Sequence, residues 1–182
     1  MHKITRTITI IGTCLFAMFG VSYLYNTYIT HNISISEPTG YYLKLPINKI
    51  EHGKRYMICL NDQKYILILK KLGLPSASNE CPHNSPYLIK QVAAVPNDTV
   101  DITESGILVN GIYQNNSKQF KKARGVNLEP IAIGFHKTLG YDEYFMLGIT
   151  PNSVDSRYFG IVKREQFIKR TVLLMTEWKN GN

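Results

Sequence analysis

From Thr7 through Ile35 the chain carries no Asp, Glu, Lys or Arg, and the 21 residues from Ile8 to Tyr28 include Ile10, Ile11, Leu15, Phe16, Met18, Phe19, Val21 and Leu24. As a helix this run is about 30 Å long, enough to cross the hydrocarbon core of a bilayer. Tyr23, Tyr25 and Tyr28 cluster at one end, where amphipathic rings favour the headgroup zone. Lys3 and Arg6 precede the run, which predicts a cytoplasmic N-terminus and an external remainder. A cleaved signal peptide has a shorter apolar core followed by a small-x-small site, whereas this run ends in Tyr, Asn and Thr. Residues 1–30 therefore read as a cytoplasmic tip and retained single-pass anchor. Residues 31–182 are left as one external domain, of the usual size for a single hydrophobic core.

The composition, 44% apolar and 19% charged, is that of a folded chain, with no low-complexity linker. A formal charge of +8 raises the question of nucleic acid, but the basic residues are dispersed. Their densest cluster, Lys118, Lys121, Lys122 and Arg124, lies in a polar stretch and reads as a solvated face. Beside a membrane, attraction to anionic headgroups is the favoured use of that charge, and no nucleic-acid partner is expected.

Beyond the anchor the pattern is of short β-branched and aromatic runs punctuated by Gly, Pro and Asn, which predicts a mainly β domain. Tyr56 to Leu60 and Tyr65 to Lys70 read as strands about an Asn61-Asp62 turn. Gly106 to Val109 and Ile112 to Tyr113 flank Asn110-Gly111, a stronger hairpin signal. Leu88 to Val95, Tyr144 to Leu147, Tyr158 to Val162 and Thr171 to Met175 complete the expected strands, and no extended helical periodicity is read outside the anchor. Residues 73–87 and 114–140 read as irregular connections. Cys59 and Cys81 both fall in the external domain, where a disulfide can persist, although two buried thiols fit the sequence too. Cys81-Pro82-His83 is too sparse for zinc, so no metal or other cofactor is expected.

In a strand from Leu88 to Val95, Lys90 shares a face with Leu88, Val92 and Ala94. Ordinarily such a lysine snorkels to water from a sheet edge. Buried, its pKa falls toward neutrality and the free amine can take the proton of a serine hydroxyl. Ser36 is the candidate nucleophile, placed before a Pro38-Thr39-Gly40 turn that can fix its hydroxyl and backbone N–H together.

Three ordered blocks carry a resemblance to a known family. They are Asn32-x-Ser34-x-Ser36-x-Pro38-x-Gly40-x-Tyr42; then Leu88-Ile89-Lys90-Gln91-Val92-Ala93-Ala94-Val95-Pro96-Asn97-Asp98-Thr99-Val100 with Val109-Asn110-Gly111; then Ser153-Val154-Asp155-Ser156-Arg157-Tyr158-Phe159-Gly160. Over residues 32 to about 165 the chain resembles the signal peptidase I clan, peptidase family S26. The likeness is greatest to its TraF-type branch, conjugative-transfer peptidases that mature pilin precursors.

The resemblance implies a compact signal-peptidase-like β domain behind one transmembrane helix, with Ser36 as nucleophile and Lys90 as general base. It makes Ser34 an oxyanion-hole hydroxyl, Ser153 the residue that orients the amine, and Asp155 with Arg157 a supporting charged pair. Ser153 as a plain turn cap, and Asp155 with Arg157 as a plain structural ion pair, stay open. The implied partners are a pilin-like or other exported precursor, the lipid bilayer and type IV secretion components. The implied location is a bacterial inner membrane with the catalytic domain in the periplasm. A general signal peptidase and a noncatalytic assembly component are the alternatives. Two positions depart from the pattern: Gly148-Ile149-Thr150 replaces a Gly-Asp-Asn run, and Asn97 stands where glycine is usual. Only 65 positions separate Lys90 from Asp155, leaving little room for a large inserted cap.

Overall fold

The computed structural model describes residues 2–74, 78–123 and 125–177, so Arg124 of the basic cluster lies outside the described residues. The first element is helix α1 (His2–Tyr28), within which Thr9–Tyr28 is long and apolar enough to cross a membrane. Its large apolar side chains from Ile10 to Tyr28 are exposed.

The helix runs without a linker into β1 (Ile29–Asn32), which pairs antiparallel with β2 (Gly40–Leu45) around the bend at 33–39. There follow β3 (Arg55–Cys59), helix α2 (Gln63–Lys71), β4 (Tyr87–Ala94), β5 (Thr99–Ile102), β6 (Ile107–Val109), β7 (Ile112–Tyr113), β8 (Lys122–Ala123), β9 (Val126–Asn127) and β10 (His136–Thr138). The chain closes with β11 (Glu143–Leu147), α3 (Ser156–Phe159), β12 (Val162–Lys163) and β13 (Phe167–Thr176). A seven-stranded antiparallel sheet, ordered β1-β2-β13-β3-β4-β11-β12, forms the body. A four-stranded sheet, β10-β5-β6-β7, and the β8-β9 ladder fill the space between the second and third sequence blocks.

Alternation along β4 distributes its side chains. Leu88 and Val92 enter the main core with Tyr56, Ile58, Met146 and Val154. Ile89 turns to the other face and packs with Tyr42 and Met57. A further cluster, Val100, Ile102, Ile107, Leu139 and Phe145, joins the smaller sheet to the ends of β4 and β11. The fold is mainly β, as the punctuation of the sequence predicts. At the Asn110-Gly111 hairpin both residues take positive φ, 51° and 76°, which that turn requires. Asn97, at φ 74°, adopts the conformation for which glycine is usual.

Two predicted strands are corrected. Tyr65 to Lys70 lies within helix α2: Asp62, read as a hairpin-turn residue, is instead its N-cap and accepts from the backbone N–H of Lys64. Tyr65, Ile68 and Leu69 sit at i, i+3 and i+4 and bury against the sheet, so there is a helical period here, too short at nine residues to stand out from an apolar run. Tyr158 to Val162 is the second correction. Residues to Phe159 form α3, capped by Asp155 and ended by Gly160 at φ 82°, and the strand begins only at Val162.

Cys59 and Cys81 form a disulfide with Cα atoms 5.6 Å apart, while Cys14 on α1 is a free thiol. The bridge holds the loop carrying Glu80 against the sheet. Lys44 of β2 donates to Glu80 (2.5 Å) and to the carbonyl of Asn26 in the last turn of α1 (2.6 Å), tying helix, sheet and loop together.

Candidate active site

The bend between β1 and β2 is built by the residues of the first sequence block. The buried Asn32 side chain donates to the carbonyls of Ser34, Glu37 and Pro38 and accepts from Ser34 N–H. Tyr42 O–H also donates to Pro38 O. Gly40, at φ 140°, lies so close to β13 that a Cβ would stand 2.1 Å from Met175 O. These contacts present Ser36 with its hydroxyl 2.8 Å from that of Ser34, and Ser36 N–H points at Ser34 Oγ (3.4 Å).

Lys90 reaches the same point from β4. Its amine lies 2.5 Å from Ser36 Oγ and 2.9 Å from Ser153 Oγ, and the residue is 1% exposed. Burial lowers its pKa to about 8 against the nearby carboxylates of Asp155 and Glu37, with Arg157 adding to the lowering. The structure therefore places Lys90 in the interior rather than snorkelling to water.

Behind the lysine, Asp155 and Arg157 are fully buried and paired through two bonds of 2.8 Å. Arg157 also donates to the carbonyls of Asn116, Lys118, Pro151 and Ser153, while Asp155 accepts from Gly148 N–H. This network binds the Ser153 turn to the end of β11. Ile149 N–H in turn donates to Ser36 O at 2.8 Å, joining that segment to the bend. All six residues singled out from the sequence thus come together around one point. The Gly148-Ile149-Thr150 departure works through backbone here: a Cβ on Gly148 would stand 2.2 Å from Ser153 Oγ and 2.8 Å from Ser36 O, so this approach needs glycine.

Two small pockets open at Ser36. One, of about 50 Å³, is bordered by Asn32, Ile33, Leu74, Tyr87 and Ile89. The other, of about 20 Å³, is bordered by Leu69, Leu72, Ala123, Ser153 and Val154. A larger polar cavity of about 380 Å³ is bordered by His52, Gln91 and Asn116, and neither Ser36 nor Lys90 lines it. Among the described residues no group of three or more His, Cys, Asp or Glu could hold a metal ion.

Sequence reasoning passed over two charged residues here. Glu37, beside Ser36, is 1% exposed and accepts from Arg55 Nε of β3 at 2.5 Å. In the first block it occupies an unspecified position. The available signal was an acidic residue next to a nucleophile candidate, which alone reads as a solvated turn.

The family model described as signal peptidase, peptidase S26, matches residues 3–176. This chain belongs to that family. A plasmid transfer protein TraF from Escherichia coli is 30% identical over 168 residues, 92% of this chain and 93% of that protein. A second Escherichia coli plasmid transfer protein TraF is 29% identical over 99 residues, 54% of this chain and 55% of that protein. Among solved structures, a signal peptidase I from Enterococcus faecalis V583 is similar with a TM-score of 0.38 and 22% identity, covering 69% of this chain and 98% of that one. Membership of the S26 family supports a peptidase-type function, and the N-terminal helix is of the kind that serves as a membrane anchor or a signal sequence.

Proposed function

We propose that this chain is a membrane-anchored serine endopeptidase in which Ser36 is the nucleophile and Lys90 the general base, and that it matures a pilin-like precursor in conjugative transfer. The observation that carries the reading is the buried Lys90 amine 2.5 Å from Ser36 Oγ. An amine whose pKa is near 8 has a substantial neutral fraction at physiological pH and accepts the Ser36 proton as Oγ bonds to the scissile carbonyl carbon. The carbonyl oxygen, now an anion, is met by Ser36 N–H and Ser34 O–H. Collapse breaks the C–N bond, and the Lys90 ammonium protonates the departing amine. Water, deprotonated by the regenerated amine, then attacks the acyl-enzyme and releases a linear product; attack by the precursor's own N-terminal amine gives a cyclic one. Ser153 holds the lysine amine in line, and the Asp155–Arg157 pair anchors the turn that carries Ser153.

The small pockets beside Ser36 suit small side chains near the cut. In this reading α1 is a retained inner-membrane anchor with its N-terminus in the cytoplasm, and the domain acts in the periplasm, where a precursor held in the same bilayer is at raised effective concentration. Similarity to plasmid transfer proteins supports a role beside type IV secretion components rather than general signal-peptide removal.

The test is co-expression with a candidate pilin precursor and intact-mass measurement of the product, using the native chain, Ser36→Ala and Lys90→Ala, each checked for folding. Shortening by the native chain alone supports the dyad, and a further loss of one water identifies cyclisation. Normal processing by either folded variant sinks the mechanism and favours a noncatalytic assembly role.

A further inference from the structure

Lys90 is surrounded by a defined set of polar groups. Ser36 and Ser153 touch its amine. Asp155 and Arg157 approach from the α3 side, Glu37 from the β1–β2 bend, and Tyr56 is its cross-strand partner on β3, with the phenol donating to Lys49 O. The Asp155 carboxylate is saturated by Arg157 and by backbone N–H groups, and Arg157 opposes positive charge on the lysine.

Glu37 differs. Its side chain is fully buried, Oε2 takes the single bond from Arg55, and Oε1 is buried with no hydrogen-bond partner. Burial holds this carboxyl above its ordinary value, and the Arg55 bond and charge pull it only part of the way back. A carboxylate in such a place costs desolvation, and pairing with one partly exposed arginine offsets only part of it. Replacing such a buried pair by apolar side chains is often neutral or stabilising, so stability alone does not account for the arrangement.

We propose that Glu37 is a positioning residue for the reaction: held by Arg55, its carboxylate supplies, in addition to the Arg157-paired Asp155, a negative charge beside which the Lys90 ammonium forms when Ser36 gives up its proton. It acts on the lysine as the buried aspartate of a Ser-His-Asp triad acts on its histidine, by stabilising the protonated base without taking the proton. The inference rests on Lys90 being the base.

The experiment reads Lys90 ionisation directly, by ¹³C NMR titration of lysine-labelled full-length protein in detergent, in a Ser36→Ala background with and without Glu37→Gln. Glutamine keeps an acceptor for Arg55 and removes the charge. The Lys90 midpoint is expected to fall by about half a unit, which at fixed pH near the midpoint changes the ammonium-to-amine ratio roughly threefold. An unchanged midpoint overturns the proposal and leaves Glu37 a structural partner of Arg55. Should Glu37→Gln not fold, Glu37→Met, equally uncharged and with Arg55 kept, is titrated in its place. The pH dependence of kcat/KM, measured without the Ser36 change, separates the two readings. A lysine midpoint that moves while the rate profile stays in place upholds the Glu37 effect and removes Lys90 as the base.

Discussion

Replacing Lys90 by methionine separates the energetic cost of the buried amine from its chemistry. The native pKa near 8 lies below the 10.5 of an ordinary lysine, so between these values the unfolded chain binds a proton that the native chain does not. Stability therefore rises with pH through that window, and the cost is fully present below about pH 8. Worked from the two values, the lysine destabilises the native state by about 3 kcal/mol at pH 7 and by less than about 1 kcal/mol at pH 10. Methionine has similar length and no charge, and at both pH values it equally deprives the Ser36 and Ser153 hydroxyls of a partner. Lys90→Met should then gain about 2 to 3 kcal/mol relative to the native chain on going from pH 10 to pH 7, while losing all peptidase activity. Urea titrations of both proteins in the same detergent, followed by far-UV circular dichroism, measure this difference, and other titrating groups cancel in the comparison. A stability difference that is the same at the two pH values would refute the reasoning, because it would mean that the native lysine keeps its proton above pH 8 as an exposed one does.

The same midpoint predicts that kcat/KM rises with pH through about 8, checked by initial cleavage rates across that range. Ser34→Ala should lower kcat by about 100- to 1000-fold with little change in KM, the loss typical of one oxyanion donor. Gly148→Ala should destabilise by about 1 to 3 kcal/mol and lower activity about 100-fold, because its methyl displaces Ser153 or Ser36; unaltered rates would show that the approach is looser than drawn. Replacing both Cys59 and Cys81, 22 positions apart, by serine should cost about 3 kcal/mol in denaturant titrations.

Ser34, Ser153, Asp155 and Arg157 were legible only through the resemblance carried by the three sequence blocks, whereas Lys90 and the bend at Ser36 also left local signals. Lys90 interrupts an apolar face of period two, and Asn32, Pro38, Gly40 and Tyr42 stand where a tight bend needs an amide, a fixed φ, a missing Cβ and a hydroxyl. Spacing in sequence could not reveal that Ile149 N–H meets Ser36 O or that Glu37 turns inward to Arg55, since both contacts depend on strands brought together by topology. The misread helix α2 has a related cause. Tyr65, Ile66, Leu67, Ile68 and Leu69 form an unbroken apolar run that suits a buried strand equally well, and only the Asp62 cap and the burial of every third or fourth residue decide between them.

The direct passage from α1 into β1, with Lys44 clasping the helix's final turn, gives the proposed enzyme a fixed stature. Ser36 follows Tyr28 by eight residues, so even fully extended backbone could lift it no more than about 29 Å above the helix end. With α1 in a bilayer, the cutting point hovers at one set height over the lipid and cannot range outward on a tether. Which bond of a precursor is severed would then depend on how far each stands from the membrane as well as on which side chains flank it.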